Sequence, residues 1–249
     1  MFARFSLVPT HVLLLILSLF SLAHAQSSVA ELVGRLRMAA SQRARFELLQ
    51  DSDFVFNFRA PPSGVSTGAG GHTVQASADN FPAVISNGVA MTVGYLDACS
   101  MNTPHTHPRA TEINFAVNTT LRAGILMENG ARYVGLEVPA GSAAVFPQGA
   151  IHFEMNLSCE PGMFVAAFNN EDPGVNTITQ RYLGLPPDIV AAALGGVNIV
   201  KVAHMESKIL DNVAFGVDDC LQRCNIKRTA QPTMQRQPRV AANALPKGY

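Results

Sequence analysis

The chain has 249 residues, 48% hydrophobic and 14% charged, and its 18 Lys and Arg balance 18 Asp and Glu. That composition excludes a chain too polar to bury a core, and the absence of net charge argues against nucleic acid as a general partner. Past residue 25 no apolar run is long enough to span a bilayer as a helix, so no membrane partner is expected of the mature chain.

Residues 1–25 carry Arg4, an apolar run from Val12 to Leu22, and the triplet Ala23-His24-Ala25. A basic start, a short apolar core and an A-x-A site read as a secretory signal peptide, which predicts a secreted protein of the extracellular region or cell wall. Ser27 and Ser28 followed by Glu31 give a helix N-cap signal, and Val29, Leu32, Val33 and Leu36 recur at helical spacing. The segment 26–52 is therefore expected to be helical over about 29–40, with an extension toward Leu49, and to pack on the outside of a barrel or on another subunit.

From 53 to 200 the pattern becomes β. Phe54, Phe56 and Phe58 alternate with Val55 and Asn57 and predict a strand, whereas the glycine- and proline-rich 60–71 predicts a loop. Short apolar runs follow at 83–85, 89–96, 112–117, 121–127, 132–138, 143–146, 151–157 and 163–168. Asn87-Gly88, Asn129-Gly130, Pro139-Ala-Gly141 and Glu160-Pro-Gly162 punctuate them. Many short strands with such turns indicate an all-β sandwich or barrel. Pro186-Pro187 and Gly195-Gly196 bracket a short helix, and a second helix is predicted over about 203–215. The C-terminal helical segment is placed at 201–224. The last stretch, 225–249, has five Lys or Arg, three Pro and no acid, and is expected to be a disordered basic tail.

Two stretches carry the chemistry. In the first, Asn102-Thr-Pro-His105-Thr-His107-Pro-Arg-Ala-Thr-Glu112, a strand projects His105 and His107 to the same side. Glu112 has the wrong parity for one regular strand, and Pro108 marks an irregularity that returns it to the histidine face. The second, Val145-Phe-Pro-Gln-Gly149 through His152 and Asn156, supplies a third imidazole. Three nitrogens and one carboxylate suit Mn, Fe, Co, Ni, Cu or Zn, and spacing alone does not choose among them. There is no H-E-x-x-H, so a zinc-hydrolase reading lacks its general-base motif.

With both stretches in view, the chain resembles the cupin superfamily, in particular germin-like and spherulin-like monocupins, over about residues 53–200. The resemblance implies a jelly-roll β-barrel, with Mn(II) held by His105, His107, Glu112 and His152. It also implies a substrate-facing amide at Asn102. Oxalate-oxidising germins have a second asparagine thirteen residues before the first histidine; here that position is Thr92, which reaches less far and offers one donor instead of two. Three functions follow as expectations. One is a manganese oxidoreductase acting on oxalate or superoxide. Another is a metal-binding matrix, spore-wall or storage protein, and the last a binding module for a small anion. The C-terminal helices of germin-like proteins join subunits, so a homo-oligomer is expected.

A jelly roll pairs the strand of His105 antiparallel with that of His152. Cys99 and Cys159 then lie at one end of the pair and are expected to form a disulfide, leaving Cys220 with Cys224. Of the two sequons, Asn118-Thr-Thr falls in a turn and is predicted to be glycosylated. Asn156-Leu-Ser shares the inward face of His152 and is not.

Overall fold

The computed structural model describes residues 29–206 and 208–228. The signal-peptide reading and most of the predicted basic tail lie outside these residues. Among them, no helix is long and apolar enough to cross a membrane.

Helix α1 spans residues 29–38, and α2 (Gln42–Leu48) follows after a break, so the single extended helix expected here is two. Ser41 makes the break productive, its Oγ capping α2 by accepting from the Ala44 amide at 3.2 Å. Leu36 is fully buried against Ala78, Val84 and Ile85, with Leu32 and Val33 beside it, so the apolar face of α1 docks on the barrel exterior as predicted. Residues 53–58 are not a strand. Asp51–Phe54 form a 3-10 turn, closed by Asp53 accepting from the Gln50 amide at 2.7 Å. The alternating phenylalanines instead build a ring cluster: Phe54 packs on Phe46, and Phe56 on Phe58 and Phe81. The run at 83–85 is likewise a 3-10 turn, Pro82–Val84, because Pro82 has no amide to give a sheet.

The strands are β1 (Val65–Gly68), β2 (Gly71–Ala76), β3 (Ala90–Leu96), β4 (Ser100–Thr106), β5 (Glu112–Ala116) and β6 (Leu121–Leu126). After them come β7 (Val134–Val138), β8 (Ala143–Phe146), β9 (Ile151–Asn156), β10 (Gly162–Phe168) and β11 (Asn176–Thr177). One sheet runs β1-β2-β3-β10-β5-β8. The other runs β11-β4-β9-β6-β7, with a late strand β12 (Ala214–Phe215) also on β4. All pairings are antiparallel, and the two sheets enclose a core that includes Phe146, Phe164, Phe168, Leu96 and Leu121. Burying each such side chain contributes about 1.5–3 kcal/mol. The fold is all-β with small helices, the jelly roll expected.

The predicted loop at 60–71 contains β1 and the start of β2. Its glycines serve a close crossing: a Cβ on Gly68 would meet the Val213 carbonyl oxygen at 2.1 Å, and one on Gly70 the Ala214 oxygen at 2.5 Å. The crossing segment follows α3 (Ile178–Tyr182), α4 (Pro187–Ala193) and α5 (Ile199–Glu206). Pro187 starts α4 and Gly195-Gly196 follow it at positive φ, as read from the sequence. The second predicted helix ends early, however, because Val213 enters the main core and Ala214–Phe215 pair with β4.

The expected disulfides are overturned. Cys99 bonds Cys220 and Cys159 bonds Cys224, with Cα separations of 5.7 and 5.2 Å. Cys220 lies on α6 (Asp218–Arg223) and Cys224 caps it. Residues four apart on a helix hold their Cβ atoms about 5–6 Å apart, whereas a disulfide needs about 3.5–4.5 Å. Each must therefore bond outside the helix. The predicted tail also begins in order, with Ile226 packed on this disulfide cluster and Arg228 paired with Asp218 at 2.7 Å.

Candidate metal centre

Strand β4 is bulged between Asn102 and His105. On a regular strand residues three apart face opposite ways; the bulge changes the parity, so Asn102 and His105 both reach the barrel interior. His105 then lies directly across from His152 of β9. His107 follows the end of β4. Glu112 opens β5 in the facing sheet, so its parity relative to His107 never arises: the chain has crossed the barrel.

The side chains converge as predicted. Glu112 Oε2 lies 2.9 Å from His107 Nε2 and 3.2 Å from His152 Nε2. One donor atom from each of His105, His107, Glu112 and His152 lies within 4.8 Å of the others, and all four residues are buried. Each imidazole is oriented from behind. Nδ1 of His105 donates to the Thr103 carbonyl at 2.8 Å, that of His107 to Gly174 at 2.5 Å, and that of His152 to Ala150 at 2.9 Å. Backbone carbonyls accept only, so all three rings carry a proton on Nδ1 and turn Nε2 inward, the atom that metal-ligating histidines offer. Phe146 stacks on His152 at 4.4 Å and Phe168 packs on His107 at 4.5 Å, drying the wall.

The electrostatics agree with a cation site. Burial pushes His105 down to about 3, with His152 and His107 adding to it, so its ring is neutral and free to ligate. Burial raises the Glu112 carboxyl, but hydrogen bonds with His107 and His152 outweigh it and hold the group below the usual carboxylate range. The residues therefore fit a divalent transition metal in donor type, tautomer and charge.

A cavity of about 200 Å³ opens onto His105, His107 and Glu112, with Thr92, Asn102 and Asn212 in its wall. Three polar residues of this region went unread in the sequence. Glu154, 1% exposed, accepts from Asn102 Nδ2 at 2.9 Å and from Asn114 Nδ2 at 3.3 Å. Burial and the neighbouring Glu112 charge raise its carboxyl well above the ordinary range, which favours the protonated form. Asn114 also donates to Glu112 Oε1 at 2.9 Å, joining the two carboxyls. Both positions follow from period two, since Glu154 is two beyond His152 and Asn114 two beyond Glu112. Asn212 had no local signal at all.

Residues 56–196 match the family described as Cupin, and this chain belongs to the cupin family. It is 51% identical over 194 residues to Spherulin-1A of Physarum polycephalum, spanning 78% of this chain and 79% of that relative. It is 32% identical over 166 residues to Germin-like protein 1-3 of Oryza sativa subsp. japonica, spanning 65% of this chain and 74% of the relative. Among solved structures, an oxalate oxidase in complex with the substrate analogue glycolate matches with a TM-score of 0.53 and 26% identity, over 65% of this chain and 80% of that one.

Proposed function

We propose that this chain is a secreted, manganese-binding cupin whose centre acts on superoxide in preference to oxalate. The observation that carries the proposal is the convergence of three imidazoles, each held at Nδ1 by a backbone carbonyl, and Glu112 on one point beside a small cavity. The similarity to an oxalate oxidase and to germin-like proteins favours manganese within the range of metals these donors accept. Bound there, the ion would supply a one-electron couple: two superoxide ions and two protons give O2 and H2O2. The chain's own residues hold the four donors, exclude bulk water with Phe146 and Phe168, and offer amide N–H groups to an anion. Secretion is favoured by two disulfides, which persist in oxidising compartments.

Oxalate must be held at both ends, and misplacing it forfeits the orientation on which turnover depends. Thr92, buried on β3 in the cavity wall, is a short anchor for the far end. Superoxide needs only access. The test begins with metal content, where His107→Ala should lose at least tenfold of the metal bound by the purified protein. One manganese-loaded sample is then assayed for superoxide decay and for H2O2 release from oxalate. Robust oxalate turnover would sink the preference, and gain of it in Thr92→Asn would support the reason given.

A second reading, a metal-binding wall or storage protein without turnover, is favoured by the higher identity to the spherulins than to the germin-like proteins. Full metal occupancy with neither activity would establish it. Self-association belongs to the same proposal. Its surface is the outer face of β3-β10-β5-β8, where Met91, Ile113, Phe115 and Val145 are 39–53% exposed and form an apolar stripe. A Phe115→Lys variant should run smaller than wild type by light scattering.

A further inference from the structure

Asn212 reaches the metal pocket from outside both histidine stretches. It lies on the segment that crosses the β1–β2 hairpin, 110 residues after Asn102, and its side chain lines the cavity. Its Oδ1 accepts the Thr103 amide at 2.8 Å. A backbone amide can only donate, so this bond fixes which end of the Asn212 side chain faces which way. Nδ2 must then point at Asn102, and it donates to Asn102 Oδ1 at 2.6 Å. That in turn leaves Asn102 Nδ2 toward Glu154 Oε2, at 2.9 Å. A directional chain results, from a main-chain donor through two amides to Glu154, then by way of Asn114 to Glu112. Flipping either amide would set donor against donor or oxygen against oxygen.

Each amide nitrogen carries two hydrogens, and each is committed through one of them to a protein acceptor. Both side chains line the cavity, so the second hydrogens are available to a guest that accepts. We propose that Asn212 is a specificity and positioning residue of this pocket: it locks the donor orientation of Asn102 and contributes a second N–H to a small carboxylate or oxyanion beside the metal. The ligand class rests on the function proposed above; the locking of Asn102 does not. The segment is held for the task by Val213 in the core, by β12 on β4, and by the Cys99–Cys220 bridge beyond it.

The experiment uses the full mature chain with Asn212→Asp and Asn212→Ala. Asn212→Asp preserves shape and the bond from Thr103 but removes the donor to Asn102 and forces that amide to turn over. The ligand-free readout is the side-chain amide signal of Asn102 in the metal-free protein, assigned by its loss in Asn102→Ala. Wild type should give two resolved, slowly exchanging protons. Both Asn212 variants should shift them and speed their exchange at least tenfold. An unchanged Asn102 signal overturns the positioning role. The second readout is acetate and oxalate affinity of the manganese-loaded protein by calorimetry, with metal content checked. Affinity should fall about tenfold in both variants with metal content unchanged. Equal affinities would overturn the ligand contact. If wild type bound neither anion, the ligand class would fail; superoxide decay, assayed separately, would still decide the function proposed, and the Asn102 signal the positioning role.

Discussion

The sulfur of Cys99 lies 3.4 Å from that of Cys224, although each is bonded to a different partner. Four half-cystines thus share one site at the end of the β4–β9 pair. Non-reducing peptide mapping should link residue 99 to 220 and 159 to 224. Removing Cys220 with Cys99 should cost about 2–5 kcal/mol, since the bridge closes a long loop. A recovered Cys99–Cys159 peptide would restore the pairing read from the sequence and contradict the structure.

The metal-free protein should show a stability plateau in pH. His105 is displaced down from 6.5, so below that value the unfolded chain takes up a proton that the folded one refuses, and acid destabilises. Glu154 is displaced up from 4.5, so above that value the folded chain keeps a proton that the unfolded one releases, and alkali destabilises. Between 4.5 and 6.5 these two contributions oppose and cancel. Below 4.5 Glu112, displaced down, joins His105 on the acid side. Above the plateau stability should fall by about 1.4 kcal/mol per pH unit. Chelated protein unfolded in urea at several pH values checks this, with Glu154→Gln expected to lose the alkaline limb. A difference between the two proteins that is constant with pH would refute it.

Mass spectrometry of the protein expressed through a eukaryotic secretory pathway should find a glycan on Asn118 and none on Asn156. Asn118 is exposed, whereas Asn156 is fully buried. The Asn156 amide donates to the carbonyls of Asp97 at 3.1 Å and Glu160 at 2.8 Å, and its oxygen accepts from Thr119 at 2.6 Å and Ser158 at 2.9 Å. Asn156→Ala should therefore cost about 2–4 kcal/mol, through several buried groups left without partners.

Asn114→Ala removes the donor shared by Glu112 and Glu154. Stability of the metal-free protein should drop by about 1–3 kcal/mol, measured by urea unfolding. Metal affinity should weaken 10–100-fold, about the usual cost of losing a group that orients a ligand. Unchanged affinity would show that Glu112 is held by the histidines alone.

The architecture was legible where a local pattern ruled. β3, β5, β8, β9 and β10 were read within a residue or two, as short apolar runs between turn residues; alternation put His105 and His107 on one side, while the full set with Glu112 and His152 came from the resemblance of the two stretches. The failures share another cause. Phe54, Phe56 and Phe58 carry a strand pattern, yet the rings answer to Phe46 and Phe81. The glycines of 64–71 look like a loop because the segment that crosses them is more than a hundred residues away. The cysteine pairing failed for want of α6, and Asn212 was invisible because nothing near it in the chain announces the pocket. Long-range docking of the C-terminal segment is the common element.

Strand β5 turns Glu112 and Asn114 inward and Ile113 and Phe115 outward. Read by hydropathy alone, it is mounted back to front. Slipping it by one residue would bury the two apolar side chains and release the two polar ones to water, an exchange that hydrophobic burial favours. An ion held by Glu112 works against that slip, because only the observed facing presents the carboxylate to three imidazoles. Metal supplied while the chain folds would then yield more correctly built barrel than metal supplied afterwards, and the cation would act as a template before it acted as anything else.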